Sequence, residues 1–256
     1  MIKAFIFDMG GTLEDVIHTP EFDKSCGEVI LQYLAIHGIH IDMEPEAFTL
    51  HLEQQYRKYR HWGMAESLRE LDPYSIWSQW YLKDFEVNQE RLRTIADKVA
   101  NLWERHYYRR ALRPEAEKVL QTLKERGFKL GVISNTGSFT QVIEILHEYG
   151  LHHYFDTVYL SSIAGIRKPH ADLFLAAAAD LGCAPQECVY VGDTVSRDVR
   201  GARAAGYGAS VRIQSHLTQI SDASYQTEQE EADYPVSNLL EILKLDIATP
   251  ITSAVQ

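Results

Sequence analysis

Four groups of polar residues in this sequence each follow a short apolar run. Asp8 follows the run 4–7 and precedes a glycine-rich turn. The other groups are Ser134 with Asn135 after the run 130–133, Lys168 after a run near Val158, and Asp193 with Asp198 after the run 189–191. Such runs are typical of buried strands in a parallel sheet, and the carboxyl ends of parallel strands share one edge. We therefore expect the four groups to converge on Asp8.

Together these side chains predict a phosphoryl-transfer site. Because a carboxylate and a phosphate dianion repel each other, Mg²⁺ held by Asp8 and Asp193 would screen the repulsion with the oxygen ligands it prefers. Lys168 would add a positive charge, and the Ser134 hydroxyl and the amides of the glycine turn would hold phosphoryl oxygens. Asp198 would fix Lys168 or the metal's water shell. Asp8 could then attack phosphorus and form an aspartyl-phosphate.

The elements that position these residues follow from hydrophobic periodicity. Residues 14–111 carry apolar positions three and four apart, as in amphipathic helices, and we predict an all-helical insertion there. Strand and helix patterns alternate after Arg113, apart from a polar surface loop predicted over 214–231. We predict an α/β fold with a doubly wound parallel sheet, Rossmann-like, formed by residues 1–13 and 112–256.

Composition limits the classes of partner. The chain has 256 residues, 45% of them hydrophobic, and a formal net charge of −11, which argues against nucleic acid and anionic membrane surfaces as partners. Its three cysteines are too few for a disulfide framework, which fits a reducing compartment. The first apolar run is too short for a signal peptide or a membrane span. We expect a cytoplasmic protein that acts on a small soluble molecule.

The sequence resembles the haloacid dehalogenase superfamily of phosphatases and related hydrolases. The Asp8 motif, the helical insertion, Ser134, Lys168 and the Asp193/Asp198 pair match that family in order over nearly the whole chain. The resemblance implies that Asp8 is the nucleophile, with Lys168 and Ser134 as further catalytic residues. It implies a Mg²⁺ site formed by Asp8, Asp193 and the backbone carbonyl of Gly10, a phosphate site that includes Ser134, Asn135, Gly11 and Lys168, and a cap domain that sets specificity.

Gly10 departs from the typical family phosphatase, which carries a second aspartate at this position as general acid and base. Such a group contributes about 10²- to 10⁴-fold in rate. In one interpretation the protein is still a phosphatase, which uses a good leaving group or a proton from Glu14, Asp15 or His18. These three residues could instead only cap the turn.

Two other interpretations of Gly10 remain open. Family members that cleave carbon–halogen or carbon–phosphorus bonds also lack the second aspartate, but the halide-cleaving enzymes need no magnesium, so the retained Asp193 and Asp198 count against them. A phosphonate-cleaving enzyme would need Lys58 or Lys24 as a buried Schiff-base lysine. Alternatively, the site binds phosphate without turnover, as a regulatory module.

The stretch 56–62 in the insertion is our candidate for substrate contacts. Arg57 and Arg60 suit a carboxylate or a second phosphate, and Trp62 could stack on a ring. The aromatic residues of the stretch could instead pack in the core of the insertion or in a homodimer contact. The substrate we expect is a small phosphorylated metabolite.

Overall fold

A six-stranded parallel sheet forms the centre of the computed structural model, which describes residues 1–19, 21–65, 68–215, 218, 222 and 231–251. The strands are β1 (Ala4–Phe7), β4 (Lys129–Ser134), β5 (Thr157–Leu160), β6 (Cys188–Gly192), β7 (Ala209–Ile213) and β8 (Tyr234–Val236), in the order β5-β4-β1-β6-β7-β8. Since β1 lies between β4 and β6, Asp8 emerges at the middle of the sheet's carboxyl edge.

Helices cover both faces of this sheet. They are α5 (Ala116–Glu125), α6 (Gln141–Glu148), α7 (Ser161–Ala164), α8 (Ala171–Asp180) and α9 (Arg200–Ala204). Alternate residues of β1 belong to different apolar clusters, with Phe5 and Phe7 in one and Ala4 and Ile6 in the other. Successive side chains of a strand point to opposite faces, so a strand buried on both sides must be apolar throughout. The α/β, doubly wound fold class is confirmed.

A helical insertion follows β1 and has an apolar core of its own. Its helices are α1 (Glu21–Ile36), α2 (Pro45–Ala65), α3 (Pro73–Ile76), which continues as a π-helix over Trp77–Tyr81, and α4 (Gln89–His106). Asp72 caps α3 by accepting from the amide of Ser75. We call this insertion the cap. The domain boundaries at residues 13/14 and 111/112 stay a prediction.

The sequence pattern missed two short strands at the ends of the cap. β2 (Glu14–Ile17) and β3 (Arg109–Leu112) form an antiparallel pair in which Glu14 lies opposite Leu112. The prediction of helix alone is wrong at these two ends, because four residues give little periodicity and the pairing joins segments far apart in the chain. Most of the predicted loop 214–231 and residues 252–256 lie outside the described residues. In the described helices no apolar stretch is long enough to cross a membrane.

Candidate active site

Asp8 lies directly after β1 with a side chain that is almost fully buried. Its backbone amide donates to the carbonyl of Val191, 2.8 Å away, and its Oδ1 accepts from the amide of Met9 at 2.7 Å. Burial raises the pKa of Asp8, and the ammonium of Lys168 acts against this. The carboxylate is therefore held in a defined orientation among groups that control its charge.

Lys168 joins the acidic residues of the site. Its buried ammonium lies 2.8 Å from Asp8 Oδ1 and 2.7 Å from Asp198 Oδ1, and it donates to the phenol oxygen of Tyr190 at 2.9 Å. These three contacts use all three N–H donors of the ammonium. Burial raises the pKa of Asp198, but the charges of Lys168 and Arg197 outweigh this effect and hold the pKa below its ordinary value. The predicted convergence of Asp8, Lys168 and Asp198 is present in the structure.

Ser134 and Asn135 end β4 beside this group, but they have different environments. Ser134 is buried and lines the cleft above Asp8. The side-chain amide of Asn135 forms two hydrogen bonds with the backbone of Lys168, donating to its carbonyl at 3.2 Å and accepting from its amide at 2.8 Å. The side chain of Asn135 therefore positions the Lys168 loop, in addition to lining the cleft.

The backbone amide of Gly11, which we predicted to bind phosphate, already has a hydrogen-bond partner within the protein. Its N–H donates to the carbonyl of Glu14 at 2.8 Å. Its φ of +84° is in the left-handed region, and a Cβ there would collide with the carboxylate of Asp193. Glycine is therefore required at this position for close approach to Asp193, and phosphate binding by the Gly11 amide stays a prediction.

Three carboxylates form a group that suits a divalent cation. Asp8, Asp193 and Asp198 are buried, and they offer oxygens that all lie within 4.8 Å of one another. Asp193 Oδ1 is buried without a hydrogen-bond partner, while Ser215 donates to Oδ2 at 2.5 Å. Burial, and then the charge of Asp198, raise the pKa of Asp193 to about 7. Asp193 Oδ1 also lies 3.9 Å from Arg197 Nη2, which is too far for a hydrogen bond, so it can still bind a cation and fits the oxygen coordination of Mg²⁺.

The cleft above Asp8 lies between the core and the cap and has a volume of ≈ 610 Å³. Ser134, Lys168 and Arg197 line its core side, and Glu104 and Arg110 lie on its other side. The cap is tied to the loop after β4 beside this cleft. Asp97 of α4 accepts from Ser138 Oγ at 2.9 Å, from the Phe139 amide at 2.6 Å and from Thr140 Oγ1 at 2.9 Å.

None of the three residues considered as replacements for the missing aspartate is free in the cleft. Glu14 is fully buried and forms an ion pair with Arg110. Asp15 lies on the other face of β2 and pairs with Arg113 at 2.9 Å. His18 lies 3.0 Å from Asp23 Oδ1 and stacks on Tyr107. The structure therefore gives no support to a proton-transfer role for these residues.

The cap stretch 56–62 contributes only part of what we expected from it. Arg60 lies beside the cleft in a smaller pocket that it shares with Arg197. Arg57 is exposed and pairs with Glu53 one helical turn away, and Trp62 packs among the aromatic residues of the cap. These contacts give no support to substrate binding by Arg57 or Trp62, and that role stays a prediction.

The lysines considered for a Schiff base are both exposed. Lys58 is on the solvent side of α2, and Lys24 is 71% exposed in its side chain and 4.0 Å from Glu28. A Schiff-base lysine needs a buried position, which neither side chain has. The geometry therefore does not favour phosphonate cleavage.

Sequence reasoning missed three residues that line or support the cleft. Tyr190 is in the middle of β6, Arg197 follows that strand, and Arg110 is on β3. A tyrosine inside an otherwise aliphatic strand signals a buried hydroxyl that needs a partner, so Tyr190 could have been suspected. Arg197 lies between Asp193 and Asp198 in the sequence, but nothing in the local pattern marks Arg110.

A buried carboxylate, lysine and second carboxylate at the carboxyl edge of a parallel sheet, beneath a helical cap, define a phosphatase-like hydrolase. The model of one family, the haloacid dehalogenase-like hydrolases, matches residues 2–206. The chain belongs to this family, and the resemblance drawn from its motifs is confirmed.

Individual relatives agree with this assignment. A glyceraldehyde 3-phosphate phosphatase from Methanopyrus kandleri is 27% identical over 248 residues, which cover 95% of this chain and 96% of the relative. The crystal structure of a HAD phosphatase from Thermococcus onnurineus is 25% identical, with a TM-score of 0.60 over 98% of this chain and 100% of that one. A 2-haloacid dehalogenase from Pseudomonas syringae has a TM-score of 0.66 over 95% of this chain and 97% of its own, but at 21% identity it supports the fold alone.

Proposed function

We propose that this protein is a Mg²⁺-dependent phosphatase that hydrolyses a small phosphorylated metabolite through Asp8. The observation that carries the proposal is the buried group in which Lys168 contacts both Asp8 and Asp198, with an oxygen of Asp193 close by that accepts no hydrogen bond. The similarity to a phosphatase that acts on a small phosphorylated molecule supports this broad substrate class, but it does not specify the leaving group. The formal net charge of −11 argues against nucleic acid and membrane partners.

In this proposal Asp8 attacks phosphorus and forms an aspartyl-phosphate, which water then hydrolyses. Lys168 offsets the negative charge that gathers between nucleophile and phosphate, and Asp198 and Tyr190 keep its ammonium in place. Ser134 holds a phosphoryl oxygen. Asn135 acts mainly through its hydrogen bonds to the Lys168 backbone.

Mg²⁺ would be held by Asp8, Asp193 and the carbonyl of Gly10, and it would supply positive charge that lets two anions approach. Asp198 would act from outside this ligand set, because Lys168 and Thr194 already occupy its two oxygens. Retention of Asp193, with an oxygen that accepts no hydrogen bond, disfavours the metal-independent cleavage of carbon–halogen bonds.

Arg60 and Arg197 are the residues we propose for contact with the rest of the substrate. Both face the space between cap and core, and a guanidinium suits a carboxylate or phosphate group. A cytoplasmic location fits three buried, free cysteines. A homodimer stays a prediction from the aromatic content of the cap.

The test is Asp8→Asn, assayed with p-nitrophenyl phosphate with and without Mg²⁺. We expect kcat to fall by at least about 10³-fold, because the amide is not a nucleophile. Asp84→Asn makes the same chemical change at an exposed position of the cap and should leave kcat unchanged. Equal rates for Asp8→Asn and wild type would disprove the role of Asp8. Binding of phosphate or vanadate without Mg²⁺-dependent turnover on a broad phosphate panel would instead indicate a binding module.

A further inference from the structure

The space next to Gly10 is occupied by an arginine from the far end of the cap. A Cβ built at Gly10 would lie 3.6 Å from Nη1 of Arg110, 3.5 Å from Cγ2 of Val16 and 3.9 Å from Oε1 of Glu14. These are ordinary contact distances, so a side chain at position 10 is sterically allowed. It would extend, however, into the region that Arg110 and Glu14 now fill.

Arg110 is held rigidly in this place. Its Nη1 pairs with the buried carboxylate of Glu14, its Nε donates to the carbonyl of Glu104 at 3.0 Å, and its Nη2 is 3.4 Å from Glu104 Oε2. Tyr149 supports Glu14 by donating to its other oxygen at 3.1 Å. A guanidinium has five N–H donors, so these contacts leave two for a ligand in the cleft that Arg110 lines.

A fixed positive charge therefore lies beside position 10, where the typical family phosphatase carries its acid. Burial opposes the charge on Arg110, but Glu14 and Glu104 outweigh it and raise the pKa of Arg110 above its ordinary value. A guanidinium does not transfer its proton in proteins, whereas it stabilises an anion by charge and by two parallel hydrogen bonds. This group can receive a leaving anion but cannot protonate one.

We propose, resting on the phosphatase function above, that Arg110 pairs with the leaving oxygen and that the substrate is a phosphate whose leaving group departs as a stable anion. Acyl, enol and aryl phosphates share this chemistry, and simple alkyl phosphates do not. In the first step the Asp8 carboxylate forms a bond to phosphorus while the bond from phosphorus to the leaving oxygen breaks. The electron pair stays on that oxygen, which leaves as an anion beside Arg110, and no proton is transferred.

The second step also balances without a protein acid. Water attacks the aspartyl-phosphate, the Asp8 carboxylate departs with the electron pair of its bond to phosphorus, and the phosphate leaves as H₂PO₄⁻ with both protons of the water. It then exchanges a proton with solvent according to pH. The side chain that the typical family phosphatase carries at position 10 is needed chiefly when the leaving group is a strong base.

The test compares kcat/KM of the wild type, with Mg²⁺, on acetyl phosphate, a set of substituted phenyl phosphates and an alkyl phosphate. We expect a steep decline as the leaving group becomes more basic, with the alkyl phosphate at least about 10²-fold below the best phenyl ester. Gly10→Asp should raise the rate on the alkyl phosphate at least about tenfold and leave acetyl phosphate within about twofold. The inference would be overturned if kcat/KM depended only weakly on the basicity of the leaving group, or if Gly10→Asp changed the rate on all substrates equally.

Two further variants separate the role of Arg110 from that of Glu104, a carboxyl group lining the same cleft that could donate a proton. In Glu104→Gln, kcat/KM should still decline steeply as the leaving group becomes more basic. If this decline were shallow in the wild type and steep in Glu104→Gln, Glu104 would be the acid. Arg110→Lys keeps the charge but loses the paired donors, so kcat on acetyl phosphate should fall about tenfold. Arg109→Lys on the exposed face of the same strand is its control and should leave kcat unchanged.

Thermal unfolding of each variant shows that it is folded. An unchanged kcat in a folded Arg110→Lys protein would overturn the role of Arg110. The proposed function fails in a different way, because a protein that is not a phosphatase turns over none of these substrates, acetyl phosphate included. Turnover with a flat dependence on the leaving group would leave the phosphatase proposal intact and refute the inference alone.

Discussion

Replacing Tyr190 with phenylalanine tests how Lys168, which we propose to be catalytic, is held. The phenol oxygen of Tyr190 accepts from Lys168 Nζ at 2.9 Å and donates to the carbonyl of Ile133 at 3.1 Å. Its ring is fully buried against Phe174, with 4.8 Å between the ring centroids. Phenylalanine keeps this ring and removes only the oxygen, so the variant isolates the two hydrogen bonds from the packing.

The expected loss of stability follows from the charge and burial of the partner. A hydrogen bond to a charged group contributes about 1.5 to 3 kcal/mol. Because Lys168 is 1% exposed, no water can replace the phenol, and one N–H of its ammonium loses its partner. We therefore expect a loss near the upper end of that range. For a chain of this size each kcal/mol lowers Tm by about 2 to 4 °C.

Tyr207→Phe is a matched control for this substitution. Tyr207 also packs against Phe174, and its ring lies 6.5 Å from that of Tyr190, but its hydroxyl donates to the Phe174 carbonyl at 2.7 Å and not to a group of the site. This change removes a neutral hydrogen bond, which contributes about 0.5 to 1.5 kcal/mol. We expect Tyr190→Phe to be the less stable variant in urea unfolding, and to lower kcat several-fold while Tyr207→Phe retains the wild-type kcat.

The comparison has a clear negative outcome. If the two variants lost the same stability and both kept the wild-type kcat, the phenol would not orient Lys168, and Asp8 and Asp198 would be sufficient. If Tyr190→Phe changed kcat but not stability, the contact would form only with substrate or metal bound. Either result would refute the argument that the buried ammonium needs its third partner.

Two further predictions concern the metal. Because the pKa of Asp193 is raised to about 7, above the unfolded value of about 3.9, the metal-free protein should lose stability as pH rises from about 4 to about 7. Protons and Mg²⁺ then compete for the Asp193 carboxylate. The affinity for Mg²⁺, measured by calorimetry, should therefore increase up to about tenfold per pH unit between pH 6 and 7. An affinity that is independent of pH would contradict this. Gly11→Ala should weaken Mg²⁺ binding much more than Gly10→Ala, because a Cβ at Gly11 would collide with Asp193 whereas one at Gly10 makes ordinary contacts. Similar affinities in the two variants would refute the steric argument.

Local patterns predicted the core of the fold well. Strands buried on both faces must be apolar throughout, so β1, β4 and β6 were recognisable as runs. Amphipathic helices such as α4 repeat their apolar residues every turn, and this periodicity predicted the helical cap. The pair of β2 and β3 was missed because neither four-residue strand is long enough to show a period, and each depends on the other for its hydrogen bonds.

The site was predictable to the extent that it follows from topology. Parallel strands bring their carboxyl ends to one edge, so the proximity of Asp8, Lys168 and Asp198 could be inferred from their order alone. The direction of a side chain could not be inferred in the same way. Arg57 and Arg60 are three residues apart on one helix, yet only Arg60 lies beside the cleft, because the rotation of α2 is set by packing in the cap.

Arg110 shows why the departure at Gly10 could not be interpreted from the sequence. Glu14 and Arg110 are 96 positions apart and meet only because β2 pairs with β3. The paired strands bring the guanidinium over the turn that lacks an aspartate. An aspartate at position 10 would have its Cβ 3.6 Å from Arg110 Nη1 and 3.9 Å from Glu14 Oε1, which are ordinary contact distances. Position 10 therefore has room for an acid next to the guanidinium, so Gly10→Asp tests the acid and Arg110→Lys tests the cation.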